Sequence, residues 1–112
     1  MTEDIWQAQV VELARILGWQ YLHVRRSIGK GRKWATTTNV IGWPDLLLWH
    51  PKHGFAAIEL KVGRNRVTAE QVEVLRSLER AGARILVAYP SELPAVQALL
   101  TGQLEDVEAV AF

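Results

Sequence analysis

Two apolar runs flanking a turn constrain this chain more than any other stretch. Leu46-Leu47-Leu48-Trp49 and Phe55-Ala56-Ala57-Ile58 are separated by His50-Pro51-Lys52-His53-Gly54. Proline and glycine in so short a connection between runs of strand length predict a β-hairpin. Pairing that sets Trp49 opposite Phe55 also sets Asp45 opposite Glu59. Directly opposed side chains stand about 4.5 to 5.5 Å apart at Cβ, where like charges repel. Glu59 and Lys61 share a face through the two-residue strand period, while Leu60 points the other way and leaves its backbone carbonyl as an oxygen donor beside the acids. A hard divalent cation such as Mg²⁺ favours oxygen ligands of this kind and would relieve the repulsion. A lysine beside it is placed to orient or deprotonate an attacking water. The competing reading is a salt-bridged strand face; Pro44 before Asp45, the cross-strand register and the flanking apolar runs weigh against it.

The rest of the chain reads as support for that hairpin. Trp6, Val10, Leu13 and Leu17 recur at helical spacing, with Thr2 as a cap and Gly18 as a terminator. At 100° per residue, with Trp6 at zero, they fall between about −20° and +40°, Glu3 near 60° and Glu12 near 240°, so Glu3 borders the buried face and Glu12 points away. Trp19 to Val24, rich in aromatic and branched residues, predicts an outer strand. Thr68 with Gln71 three residues on forms a capping box, and Gly82 lies just past the end of the helix it opens. Ala83 to Tyr89 predicts a buried strand and Ser91 to about Leu100 a last short helix; the tail from Gly102 shows no clear period. The predicted order is helix, three strands, helix, strand, helix, a mixed α+β sheet with helices packed on it.

A length of 112 residues predicts one domain over the whole chain, 1–112. The absence of cysteine excludes disulfides, thiolate metal sites and thiol nucleophiles, and no stretch resembles a signal peptide or a membrane span, which points to a soluble cytoplasmic protein. The net charge of +1 hides an uneven distribution: no acid lies between Glu12 and Asp45, whereas Arg25, Arg26, Lys30, Arg32 and Lys33 do. Arg25 to Ile41 reads as a long loop, either simply solvated or, with its arginines, lysines and Trp34, a contact for phosphates and unpaired bases. Arg64 and Arg66 in the connector after Lys61 are candidates for phosphate contacts, weighed equally against a solvated connector. His50 and His53 lack the partners for a structural zinc site and are read as surface residues; His23 is read as an edge-strand histidine in preference to a DNA contact.

Gly42-Trp43-Pro44-Asp45-Leu46-Leu47-Leu48-Trp49, then Ile58-Glu59-Leu60-Lys61, then Arg66-Val67-Thr68-Ala69-Glu70-Gln71 with Gly82-Ala83 following, resembles the VRR-NUC family of the PD-(D/E)xK nuclease superfamily over nearly the whole chain. The resemblance implies a restriction-endonuclease-like αβββαβ core with a C-terminal helix. It also implies a DNA phosphodiesterase dependent on Mg²⁺ or Mn²⁺, with Asp45 and Glu59 as metal ligands and Lys61 as the catalytic lysine. Small stand-alone members resemble Holliday-junction resolvases, act as homodimers and occur in bacteria and phages. The family also uses a glutamate of the first helix, which Glu3 matches better than Glu12. It suggests that Gln71 points into the active site, a role weighed above capping alone because Leu75 and Leu78 continue its helical face toward the core. Two other readings stand beside a structure-selective endonuclease: a DNA-binding module that does not cleave, and a restriction-like or phage DNA-processing nuclease.

Overall fold

The computed structural model describes residues 1–24, 27–28, 34–35 and 41–103, with backbone pairing alone at 27–28 and 34–35. Helix α1 (Glu3–Ile16) opens where the Thr2 hydroxyl accepts from the Ile5 amide at 3.2 Å. Gly18 ends it with φ +87°, a left-handed conformation that costs glycine little. Strand β1 (Gln20–His23) follows. Two strands of two residues each, β2 (Ser27–Ile28) and β3 (Trp34–Ala35), pair antiparallel as a separate ribbon. The stretch read as mostly loop therefore contains a pair of short strands, which runs of two residues give no periodicity to reveal. Arg25, Arg26, Lys30, Arg32 and Lys33 lie outside the described residues, as do residues 104–112.

The hairpin forms in the expected register. β4 (Leu46–His50) pairs with β5 (Gly54–Leu60), and Trp49 stands opposite Phe55. Thr68 caps helix α2 (Ala69–Arg80), which carries the chain across to β6 (Arg84–Ala88), parallel to β5. Parallel neighbours need such a crossover because a tight turn can only reverse the chain. A single 3₁₀ turn, Pro90–Glu92, leads into α3 (Leu93–Leu100). The main sheet has the order β1-β4-β5-β6, with β1 at one edge as its sequence predicts. The mixed sheet with its N-terminal and C-terminal helices agrees with the restriction-endonuclease-like core implied by the resemblance. Among the described residues no helix is long and apolar enough to cross a membrane.

Alternation along the strands gives the sheet two apolar faces. Leu46, Leu48, Ile58, Leu60 and Ala88 pack under Trp6, Val10 and Ala14 of α1 and under Val96, Leu99 and Leu100 of α3. The intervening residues Ala57 and Ile85 pack against Leu75 of α2, with Leu47, Leu78 and Val87 around them. Two indoles tie the first layer down. Trp6 Nε1 donates to the Ala88 carbonyl at 3.0 Å and Trp19 Nε1 to the Leu100 carbonyl at 2.9 Å, so each buried N–H is satisfied. His50 and His53 are half-buried instead of lying free on the surface, because Trp19 packs against both, with ring centroids 5.3 and 6.0 Å away.

The α2 layer rests on far fewer buried side chains than its counterpart, and Leu75 is its central one. Leu75→Ala is expected to cost about 2–5 kcal/mol, the range for truncating a buried leucine, measurable as a lowered midpoint in urea unfolding with an unchanged slope. A cost under about 0.5 kcal/mol would contradict the packing assigned to α2.

Candidate active site

Continuation of the β4–β5 register by one step places Asp45 opposite Glu59. At that step the side chains take over from the ladder. The Asp45 amide donates to Glu59 Oε1 at 3.2 Å and the Leu60 amide donates to Asp45 Oδ2 at 2.8 Å. Each carboxylate thus accepts a main-chain bond from the strand opposite, and the pair is clasped in both directions. β1 adds a third strand through the Val24 amide, which donates to the Asp45 carbonyl at 3.1 Å. On the other side the Lys61 amide donates to the Ala88 carbonyl of β6 at 3.0 Å.

Glu59 is 2% exposed, and both of its oxygens are engaged. Oε2 accepts from Lys61 Nζ at 3.0 Å and from Gln71 Nε2 at 3.1 Å. Gln71, 5% exposed, serves two functions with one amide: its Oε1 accepts from the Thr68 amide at 2.9 Å as half of the capping box, and its Nε2 holds Glu59. The cap and the site contact therefore coexist. A pairing of one lysine with two acids leaves net negative charge in a desolvated place. Burial pushes Glu59 up to about 7, with the neighbouring Asp45 charge adding to the effect and Lys61 opposing it. Asp45 is raised as well, chiefly by burial, against the stabilising Leu60 amide bond.

Helix α1 brings Glu3 to the same open cleft of about 810 Å³ that Asp45, Glu59, Lys61 and Gln71 line. Glu3 is exposed, and its charge raises Asp45 further. Glu12 points away as the helical angle predicts and forms an exposed ion pair with Arg15 at 2.7 Å. Arg64 and Arg66 are exposed and line a different cleft with Thr68 and Tyr89. His23, Gln7, Tyr21 and Trp43 also line the acidic cleft, and none of them was singled out above as a site residue. Gln7 follows Glu3 by one helical turn, a spacing that could have marked it.

The donor set of Asp45 and Glu59 is all oxygen, and its two acids repel in a buried setting, so the residues suit a hard divalent cation that would relieve the excess negative charge. Among the described residues no three histidine, aspartate or glutamate side chains form a metal-binding group by themselves.

One glycine sets the approach of Asp45 to α2. A Cβ on Gly42 would lie 2.7 Å from the Glu70 carbonyl carbon and oxygen and 2.9 Å from the Gln71 nitrogen, and its φ is +95°. Only a residue without a side chain lets the strand entry press on the helix turn that carries Gln71. Gly42→Ala is expected to destabilise by about 1–3 kcal/mol through backbone strain and overpacking, seen in thermal unfolding; no loss would contradict the close approach.

The raised Glu59 predicts a pH dependence whose sign follows from proton binding. Between about pH 4.5, its ordinary value, and about 7, the folded chain holds a proton that the unfolded chain has released. In metal-chelated buffer stability contributed by this group is full below about 4.5 and is lost as pH rises to about 7. Glu59→Gln is expected to flatten that fall and to exceed the wild type at pH 8 by on the order of 1 kcal/mol in urea unfolding. A wild-type profile as flat as the variant's would count against a proton held on Glu59.

The family model described as the VRR-NUC domain matches residues 2–92, from the cap of α1 through the 3₁₀ turn before α3. No curated protein and no solved structure matches the chain.

Proposed function

The chain belongs to the VRR-NUC family of nucleases, and on that premise we propose that it is a Mg²⁺- or Mn²⁺-dependent endonuclease that cuts branched DNA, four-way junctions included. The observation that carries this reading is the buried carboxylate of Glu59, held at once by Lys61, by Gln71 and by the clasp to Asp45. Asp45 and Glu59 would hold the cation, with the Leu60 carbonyl and Glu3 completing its protein ligands. Held by these residues, a divalent cation would supply positive charge against the negative charge that develops on the phosphate oxygens.

The protein's own part is positioning and proton handling. Lys61 lines the open cleft, where its ammonium would orient the attacking water and the ion pair with Glu59 holds it. Gln71 fixes the rotamer of Glu59 from the opposite layer, so that the carboxylate cannot turn away when the cation is absent. The basic stretch containing Arg25, Arg26, Lys30, Arg32 and Lys33, together with Arg64 and Arg66, would neutralise the phosphates on either side of the cut. Resolution of a four-way junction needs two cuts, and one chain supplies one such site. A symmetric homodimer provides both.

Incubation with labelled four-way junctions, flaps, forks and plain duplex in Mg²⁺ or Mn²⁺ tests the reading. The wild type is expected to cut branched substrates in preference to duplex, and Glu59→Ala and Lys61→Ala to lose about 100-fold or more in rate while still binding DNA. Tight binding by the wild type without cleavage in either metal would leave a DNA-binding module instead. Cutting that survives both substitutions would overturn the site.

A further inference from the structure

The acidic cleft does not end at the carboxylates. It continues between α1 and β1, where the chemistry of its walls changes. Tyr21 and His23 are two apart on β1 and so share a face; their cross-strand partners Leu48 and Leu46 are the residues packed under α1, which puts both rings on the α1 side. Across from them α1 presents Gln7, Ala8 and Val11, one and two turns beyond Glu3 and Asp4. The Gln7 amide donates to Nε2 of His23 and bridges helix and strand. Tyr21 is 41% exposed in spite of its size.

Three properties of this extension select a class of ligand. Among the described residues its lining sets Glu3 and Asp4 against Lys61, with Arg15 close enough to Tyr21 to interact with it, so those walls do not offer a phosphate the excess of positive charge it prefers. Tyr21 offers an aromatic face and Ala8 and Val11 an aliphatic wall, the surfaces on which a flat ring stacks. The Gln7–His23 bond leaves the amide oxygen as an acceptor and the second imidazole nitrogen as a donor, a pair suited to the polar edge of a base. The volume of about 810 Å³ for the whole cleft falls in the range of sites that take an entire small ligand.

We propose that the groove between α1 and β1 is a subsite for one unpaired nucleobase of the strand being cut, stacked on Tyr21 and hydrogen-bonded by Gln7 and His23. A base paired in a continuous duplex cannot reach it without leaving its stack, whereas a base at a junction, flap or bulge has already paid most of that unstacking. The groove thereby gives the site a means of distinguishing branched from continuous DNA that needs no sequence readout. The identity of the strand in this inference rests on the nuclease reading above.

Cleavage of a fork whose unpaired nucleotide beside the cut carries either a base or an abasic sugar tests the subsite. For the wild type the abasic substrate is expected to be cut about tenfold less efficiently, mainly through KM, in line with the stacking of one base on an aromatic side chain. Tyr21→Ala is expected to show the same tenfold loss with the base present and no further loss on the abasic substrate, while Tyr21→Phe retains both activity and melting temperature. A readout independent of cutting is the fluorescence of 2-aminopurine at that nucleotide, recorded in EDTA: it should respond to wild type and to Tyr21→Phe and not to Tyr21→Ala. Equal cutting of the two substrates by the wild type, or an equal loss on both from Tyr21→Ala, would overturn the subsite and leave the nuclease reading standing. Failure of the wild type to cut any substrate would instead count against the nuclease reading, and the 2-aminopurine response would still decide the subsite. A His23→Ala effect confined to the salt dependence of binding would mean that the groove takes a phosphate and would also overturn it.

Discussion

Two carboxylates that would repel each other are placed side by side at the end of the central hairpin, and the local structure is arranged around making that bearable. Asp45 and Glu59 each accept a main-chain amide from the opposing strand, so the charges are stabilised by the same N–H groups that would otherwise extend the ladder. Lys61 and Gln71 supply two more donors to Glu59. Even so, burial keeps the proton affinity of both acids high. The site holds more acid than the described residues neutralise, and that excess is what makes its oxygen donors suit the cation proposed for it. A structural salt bridge would have balanced acid with base.

The layers of the fold converge on this place for different reasons. β4 and β5 supply the acids and lysine through strand period alone. α2 reaches them from one face because Gly42 allows backbone contact with its first turn, and the amide of Gln71 is committed at one end to the helix cap and at the other to Glu59. Loss of either contact would loosen the other, since a single rigid side chain makes both. α1 reaches from the opposite face, held by Trp6, and lays its Glu3, Gln7 and Val11 stripe along the exposed edge strand. The helix that anchors the larger core layer is thus also one wall of the cleft. Edge strands ordinarily avoid apolar exposure. β1 exposes Tyr21 there, at the place where an unpaired base would stack.

The amino-acid pattern alone determined much of this. The Pro-Gly turn between two apolar runs specified the hairpin and its register, and with it the opposition of Asp45 to Glu59 and the shared face of Lys61, because side chains in a strand alternate with a period of exactly two residues. Helical angle separated Glu3 from Glu12, and the Thr68–Gln71 spacing gave the cap. These are short-range relations, carried by neighbours in the chain or across one tight turn. What only the tertiary structure decided is long-range: the clasp of the acids by opposite-strand amides, the second hydrogen bond of Gln71, the seating of His50 and His53 on Trp19, and the groove that brings Gln7 to His23 and Tyr21 beside the carboxylates. They depend on the rotamers the acids adopt and on where helices and the outer strand settle against the sheet, which is set by packing summed over many side chains and leaves no periodic mark in the residues that make the contact.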